Sequence, residues 1–247
     1  MANLVIDIGN TYTKIAVFEQ NELKVVEQYQ NPDINTIDNL LTGYTIQKTI
    51  ISSVKKNNEA WETVLKQKFL PVYFNTEMAT GITNQYLTPK TLGLDRFAAV
   101  IGAVHLYPGI NTLVIDGGTC IKYDYVDAKA NYFGGSISPG LNMRYTALNN
   151  YTAALPLLER DENFSMPYGN NTESAIRSGV QNGIKHEITG FIESYRQQQP
   201  ELNIVLSGGD SIFFDTLLKN SIFAPYIKIE PYLVLKGLNA AIQKYND

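Results

Sequence analysis

The same short hairpin pattern occurs twice in the sequence, and this duplication limits the fold more than any other feature. One copy, LVIDIGNTYTKIAVF, begins at Leu4, and the other, LVIDGGTCIKYDYV, begins at Leu113. In each copy an apolar triplet precedes an aspartate, Asp7 or Asp116, and a glycine and a threonine follow before a second strand-like run. Strand-like runs separated by a Gly- or Asn-containing turn are typical of a β-hairpin. Two copies of one hairpin therefore predict two similar halves.

The order of the remaining elements agrees with this duplication. After the first hairpin the periodicity predicts a third strand, a helix, a β-branched strand, an amphipathic helix from Asn57 to Phe69 and a short strand. The order βββαβα is the repeating unit of the actin, Hsp70 and sugar-kinase superfamily, and a second βββ run begins at Asn111. We therefore expect an α/β protein with a duplicated ribonuclease-H-like fold. We expect the halves to be residues 1–110 and 111–247, with a cleft between them.

The first hairpin turn has the residues that a phosphate-binding loop needs. Burying a lone carboxylate such as Asp7 costs several kcal/mol, so it requires a partner, and a phosphate-bound metal ion would supply one. Gly9 lets the backbone approach phosphate oxygens, while Asn10, Thr11 and Lys14 offer donors. Alone, the segment fits a tight turn with a locally satisfied aspartate equally well. The second copy favours a phosphate chain held between two loops, with one aspartate from each half.

Composition excludes several classes of partner and site. The net charge is −4 and the longest basic cluster is Lys55-Lys56, so we expect no nucleic acid partner. No apolar run approaches the ~20 residues of a membrane span, and a strand beginning by Asn3 leaves no room for a signal peptide. We therefore expect a cytoplasmic protein without membrane association. With one cysteine and two separated histidines, any metal must be held by oxygen.

Each of four other features has two possible interpretations. Asp95 and Arg96 begin a helix after a long polar segment, and Asp95 there fits either a functional site or plain helix capping. The run GGSISPG at residues 134–140 fits either an anion site or a tight turn into a helix, and Arg144 beyond it fits either phosphate binding or solvation. The Gly-Gly turn at residues 207–210 fits either an adenine ring against the backbone or a simple turn.

Taken together, DIGNT at 7–11, GLDR at 93–96, DGGT at 116–119 and GGSISPG at 134–140 resemble the type III pantothenate kinases. The resemblance implies a homodimer that uses ATP to phosphorylate pantothenate to 4'-phosphopantothenate, the first step of coenzyme A biosynthesis. The chain has no GxxxxGK[ST] loop, which excludes a P-loop kinase, so ATP must bind at the two hairpins.

The resemblance also assigns roles to individual residues. Asp95 corresponds to the catalytic base, Asp116 to a ligand of an activating potassium or ammonium ion, and Thr119 to an ATP contact; magnesium would accompany ATP. The first phosphate-binding loop corresponds to Asp7, Ile8, Gly9, Asn10, Thr11, Tyr12, Thr13 and Lys14. The pantothenate site corresponds to Tyr86, Gly93, Leu94, Asp95, Arg96 and Thr172, although Thr172 alone also fits a helix N-cap. Two residues depart from the family pattern: Tyr12 stands where the family often has His, and Cys120 stands where Ala or Thr is usual.

Two other functions remain open at this stage. The same fold could phosphorylate a sugar or another small alcohol, and residues 86–96 would decide between these substrates. Alternatively, the protein could be a regulator that binds ATP without transferring phosphate. Asp95 beside Arg96 argues against a regulator, because a pure sensor has no use for a proton acceptor.

Overall fold

The structure is a computed structural model that describes residues 1–54, 60–78 and 80–245. The chain packs as two compact units. Unit 1 comprises Met1–Pro108, Ala130–Tyr132 and the segment from Tyr232 onward, and unit 2 comprises Gly109–Lys129 and Phe133–Pro231. None of the helices in the described ranges has both the length and the apolar content required to cross a bilayer.

Unit 1 contains a mixed five-stranded sheet in the order β3-β2-β1-β4-β5. The antiparallel hairpin comes first, and β4 and β5 add parallel to β1. The elements are β1 (Ala2–Ile8), β2 (Thr13–Glu19), β3 (Glu22–Tyr29), α1 (Ile34–Leu40), β4 (Ile46–Ser53), α2 (Ala60–Phe69), β5 (Val72–Tyr73), β6 (Thr83–Asn84) and α3 (Leu94–Leu106). This order confirms the predicted βββαβα unit; the predicted start of α2, residues 57–59, lies outside the described residues.

Unit 2 repeats the plan with the strand order β11-β10-β7-β8-β9. The first two residues of β9, Asn131 and Tyr132, instead pack with unit 1 and pair in parallel with β6. The elements are β7 (Thr112–Gly117), β8 (Cys120–Val126), β9 (Asn131–Pro139), α4 (Leu141–Asn150), α5 (Thr172–Arg177), α6 (Gly183–Gln198), β10 (Asn203–Ser207), α7 (Ser211–Leu218) and β11 (Ile227–Ile229). A π-helical turn, Ser178–Asn182, joins α5 to α6. The predicted duplicated α/β fold is confirmed.

β9 continues to Pro139 and only Gly140 separates it from α4, so GGSISPG ends a strand and turns tightly into a helix, which is one of its two interpretations. One local prediction in unit 2 is wrong. The N-cap of α5 is Asn171 and not Thr172, which is the first helical residue. Asn171 Oδ1 accepts from the Ser174 amide at 2.9 Å, and Ser174 Oγ accepts from the Asn171 amide at 3.1 Å. This reciprocal capping box satisfies two backbone donors, and Thr172 one position later cannot form it.

The last helix, α8 (Leu233–Lys244), completes unit 1. It crosses α3 closely, because a Cβ on Gly237 would lie 1.8 Å from the Ala98 carbonyl oxygen. On the buried face of α8, Asn239 accepts a 2.9 Å hydrogen bond from Asn3 of β1 and donates a 2.8 Å bond to the Gln20 carbonyl. By packing, α8 belongs with the N-terminal elements. The division of the sequence into halves at residues 110 and 111 describes the repeated pattern, and it stays a prediction.

Candidate active site

The first predicted phosphate-binding loop is a tight, exposed turn between β1 and β2. Asp7 lies opposite Lys14 in the antiparallel register, and Ile8 lies opposite Thr13. The Gly9 amide donates to the Tyr12 carbonyl at 3.0 Å, and a Cβ on Gly9 would lie equally close to that oxygen. The side chains of the intervening residues are exposed: Asn10, Thr11 and Tyr12. The turn is therefore tight at its base and open to solvent at its tip.

Asp7 also has a neighbour on its other side, in β4, that the sequence pattern did not indicate. In the parallel register of β1 and β4, Asp7 pairs with Ser52, whose side chain is fully buried. Lys14, Asp7 and Ser52 thus form a row across three adjacent strands. Side chains at paired positions of neighbouring strands point to the same face of a sheet, so these three share one face.

Unit 2 contains the same row around Asp116. Lys122 of β8 lies opposite Asp116 in the antiparallel register, and Ser207 of β10 pairs with it in the parallel register. Lys122 Nζ is 2.7 Å from Asp116 Oδ2, and only 18% and 12% of the respective side chains is exposed. The sequence predicted a role for Asp116 but not for Lys122, although a lysine occupies the second strand of both hairpin copies. That shared lysine was the available signal.

The glycine-bearing segments singled out in the sequence meet at the Asp116 turn in unit 2. A Cβ on Gly140 would lie 2.1 Å from the Gly118 carbonyl oxygen. Gly208 has a φ of +82°, and a Cβ there would lie 2.2 Å from the Gly117 carbonyl oxygen and 2.6 Å from Asp116 Oδ1. Exposed Thr119 joins this packing through its carbonyl, which accepts from the Gly140 amide at 3.1 Å. Glycine is required at these contacts because any side chain would separate the turns.

A second carboxylate in unit 2, Asp210, is electrostatically linked to this turn. Its pKa is raised, first by burial and also by the charge of Asp116, while the Arg160 guanidinium opposes the shift. Arg160 Nη1 lies 3.6 Å from Asp210 Oδ1. Asp116 is therefore paired with Lys122, and Asp210 with Arg160.

The predicted substrate residues at the start of α3 lie together in unit 1. Gly93 is the N-cap, Leu94 is the first helical residue, and half-buried Asp95 follows. Asp95 Oδ1 accepts from the Arg96 amide at 2.9 Å, and because Gly93 is the N-cap, Asp95 is an acidic residue of the first turn and not the capping residue. A Cβ on Gly93 would be 2.7 Å from the same oxygen, and the carboxylate consequently lies against the backbone of the first turn.

An aromatic stack holds Tyr86 beside this helix start. The Arg96 guanidinium carbon lies 5.5 Å from the centre of the Tyr86 ring, and Arg96 is buried. Tyr86 stacks on Tyr132 with ring centres 6.3 Å apart and planes 12° apart, and Tyr132 also contacts Phe97 at 6.2 Å. The structure thus brings Tyr86, Arg96 and Asp95 into one region. Thr172 lies in unit 2, exposed at the start of α5.

Arg144 has an acidic partner within unit 2, so it is not simply a solvated surface arginine. It forms an ion pair with Glu187, which also accepts a 2.7 Å hydrogen bond from the Tyr123 hydroxyl. Burial raises the pKa of Glu187, but the hydrogen bonds from Arg144, Ser138 and Tyr123 outweigh it and lower the pKa below its ordinary value. Arg144 therefore fixes α4 against α6.

Two βββαβα repeats, each with an aspartate near the end of its first strand, define the fold of the actin, Hsp70 and sugar-kinase superfamily. Solved structures agree with this fold. A glucokinase of the ROK family from Streptomyces griseus, in complex with glucose and AMPPNP, has a TM-score of 0.55 at 11% identity, with 99% of each chain covered. The activator of a 2-hydroxyisocaproyl-CoA dehydratase from Clostridium difficile, with bound ADPNP, has a TM-score of 0.59 at 12% identity, covering 98% of this chain and 93% of that one.

Sequence comparison then gives the family. The model of the type III pantothenate kinases matches residues 3–194. A type III pantothenate kinase from Bacteroides fragilis is 43% identical over 247 residues, covering 99% of this chain and 98% of the relative. Another, from Christiangramia forsetii, is 42% identical with 98% of each chain covered. The chain belongs to the type III pantothenate kinase family, and the predicted family is confirmed.

Proposed function

We propose that the chain transfers the γ-phosphoryl group of ATP to pantothenate and forms 4'-phosphopantothenate, the first step of coenzyme A biosynthesis. One observation carries the proposal: in a chain of this family, Tyr86, Arg96 and Asp95 lie together at the start of α3. These side chains supply an aromatic surface, a cation and a proton acceptor. A small hydroxylated carboxylate such as pantothenate fits all three.

The exposed turn after β1 is the proposed phosphate-binding loop. Carboxylate oxygens are the ligands that magnesium prefers, and Asp7 offers them next to a turn with exposed Asn10 and Thr11. When bound with ATP, magnesium neutralises part of the phosphate charge. Lys14, opposite Asp7, adds a cation on the same sheet face. In unit 2, exposed Thr119 is the proposed ATP contact.

Asp95 is the proposed general base. Phosphoryl transfer requires positioning, charge neutralisation and an acceptor for the hydroxyl proton, and it requires no covalent help from the protein. Arg96 matches a carboxylate with two parallel N–H donors, and Tyr86 lies over its guanidinium. Arg96 therefore orients the acceptor while Asp95 accepts its proton. Thr172 remains a proposed substrate contact, and the homodimer and the cytoplasmic location also remain predictions.

Measurement of ADP release tests the substrate. We expect turnover with ATP and pantothenate and none with ATP alone or with a panel of sugars. Turnover with a sugar would identify a kinase of another alcohol. ATP binding without turnover on any acceptor would identify a nucleotide-responsive regulator.

A substitution at Asp95 tests the base. We expect Asp95→Asn to lower kcat by at least about 100-fold, the usual contribution of a general base, while ATP affinity is kept. Asp215→Asn, the same change on α7, is the control and keeps the wild-type rate. A normal kcat for Asp95→Asn would show that another group accepts the proton.

The potassium or ammonium ion predicted at Asp116 would meet a carboxylate that is already paired. The carboxylate already carries a cation from the chain itself, the ammonium group of Lys122, 2.7 Å away. The donor set around Asp116 therefore does not fit the additional ion that the resemblance implies.

A further inference from the structure

We infer that the ammonium group of Lys122 occupies the place of the activating monovalent cation at Asp116, so that this enzyme works without potassium. The inference rests on the proposed function, because it concerns the cation requirement of that reaction. In this proposal a covalently attached ammonium group, that of Lys122, replaces an ion that would otherwise bind and dissociate.

The geometry of the pair is that of a bound cation. Lys122 and Asp116 face each other across the β7–β8 hairpin, and the Nζ–Oδ2 distance is 2.7 Å. Both side chains are largely buried, so solvent screens the pair less than it would screen a surface salt bridge. The hairpin register therefore holds a fixed positive charge at the end of β7.

Little room remains at the carboxylate for a second cation. Lys122 occupies Oδ2, and the backbone of Gly208 closes on Oδ1, where a Cβ would lie only 2.6 Å away. A potassium ion would have to displace the ammonium group or share one oxygen with it. Displacement is unfavourable because a tethered group competes at a high effective concentration.

The ammonium group of Lys122 places at Asp116 the same charge that the ion would bring. A lysine ammonium group is a compact point charge with three N–H donors, and it carries the same charge as potassium or ammonium. A purely structural ion pair would leave the need for an external cation unchanged. A substituting ammonium group abolishes that need, and the two roles therefore predict different salt dependence.

The wild-type enzyme gives the first test. Pantothenate-dependent ADP release is measured in potassium chloride and in tetramethylammonium chloride at the same ionic strength, which keeps screening constant. We expect equal rates in the two salts. Stimulation by potassium of about tenfold or more would overturn the inference and leave pantothenate phosphorylation established.

Variants of Lys122 give the second test. Lys122→Ala is expected to be slow in tetramethylammonium and restored by potassium or ammonium, because the buried carboxylate then requires an external cation. Lys122→Arg keeps the charge and is expected to remain independent of potassium. Lys129→Ala, an exposed change on the β8–β9 connection, is the control and follows the wild type. A Lys122→Ala enzyme that is equally active in both salts would contradict the inference.

The melting temperature provides a readout that does not depend on catalysis. Potassium, relative to tetramethylammonium, is expected to raise the melting temperature of Lys122→Ala by mass action and to leave the wild type unchanged. A potassium-dependent rise in the wild type would overturn the inference. If Lys122→Ala does not fold, the wild type and Lys122→Arg decide. Absence of pantothenate phosphorylation in every salt would instead refute the proposed function, and the melting temperatures would still decide the cation question.

Discussion

Replacement of Gly208 by alanine tests whether the glycine contacts around Asp116 define the site. The backbone at Gly208 has a φ of +82°, and a Cβ there would lie 2.2 Å from the Gly117 carbonyl oxygen. That atom belongs to backbone, so no flexible side chain can move aside. The turn at residues 207–210 must therefore shift away from the end of β7.

The destabilisation follows from two separate effects. The left-handed conformation costs a non-glycine residue about 1–2 kcal/mol, and overpacking a close contact costs about 1–3 kcal/mol more. A total of about 3 kcal/mol is expected, which lowers the melting temperature of a chain of this size by ~6–12 °C. ATP affinity should fall as well, because the shift moves the backbone beside Asp116.

Thermal unfolding followed by circular dichroism measures this effect, and the adjacent glycine supplies a matched control. Gly209 is exposed, and a Cβ there would have no described atom within 4 Å. Gly209→Ala should therefore melt close to the wild type. If Gly208→Ala and Gly209→Ala melt within ~1 °C of each other, the close approach of the two turns is not what stabilises unit 2.

Two further predictions concern contacts that position site residues. Tyr132→Leu removes the ring that stacks on Tyr86 and should raise the KM for pantothenate about 2–10-fold, which corresponds to the energy of one aromatic pair. Tyr132→Phe retains the ring and should retain the wild-type KM. Steady-state kinetics should show the rise for pantothenate and an unchanged KM for ATP; a wild-type KM for pantothenate in Tyr132→Leu would contradict the role of the stack. The pKa of Glu187 is lowered in the folded state, so its stabilising contribution is present above the ordinary value of 4.5 and is lost as the pH falls through the folded-state pKa. Arg144→Met raises that pKa and should shift acid unfolding to higher pH, whereas Arg144→Lys should resemble the wild type; an unchanged acid midpoint for Arg144→Met would contradict the assigned cause.

Local patterns in the sequence were sufficient for the hairpins and for the order of the elements. Alternating or continuous apolar runs specify strands, and the turn residues after Asp7 and Asp116 specify where each chain reversal occurs. The positions of Asp95 and Arg96 at a helix start were predictable for the same reason.

Contacts between distant segments could not be predicted in this way. The pairing of Asp7 with Ser52 and of Asp116 with Ser207 depends on which distant strands become parallel neighbours, and the pattern within a single strand does not specify its partner. The stacking of Tyr132 on Tyr86 likewise depends on the pairing of β6 with β9. The N-cap of α5 was misassigned because two adjacent residues, Asn171 and Thr172, both favour that position.

The packing of α8 against β1 and α3 has a consequence for how the chain folds during synthesis. Translation of the residues between Ile8 at the end of β1 and Leu233 at the start of α8 takes roughly 10–45 s at ordinary ribosomal rates. Throughout that interval the nascent N-terminal sheet lacks the helix that covers its buried Asn3. Unit 2, whose segments are synthesised in the meantime, is therefore the first part of the protein able to finish folding, and a ribosome that stalls before α8 leaves an apolar sheet surface open to chaperones.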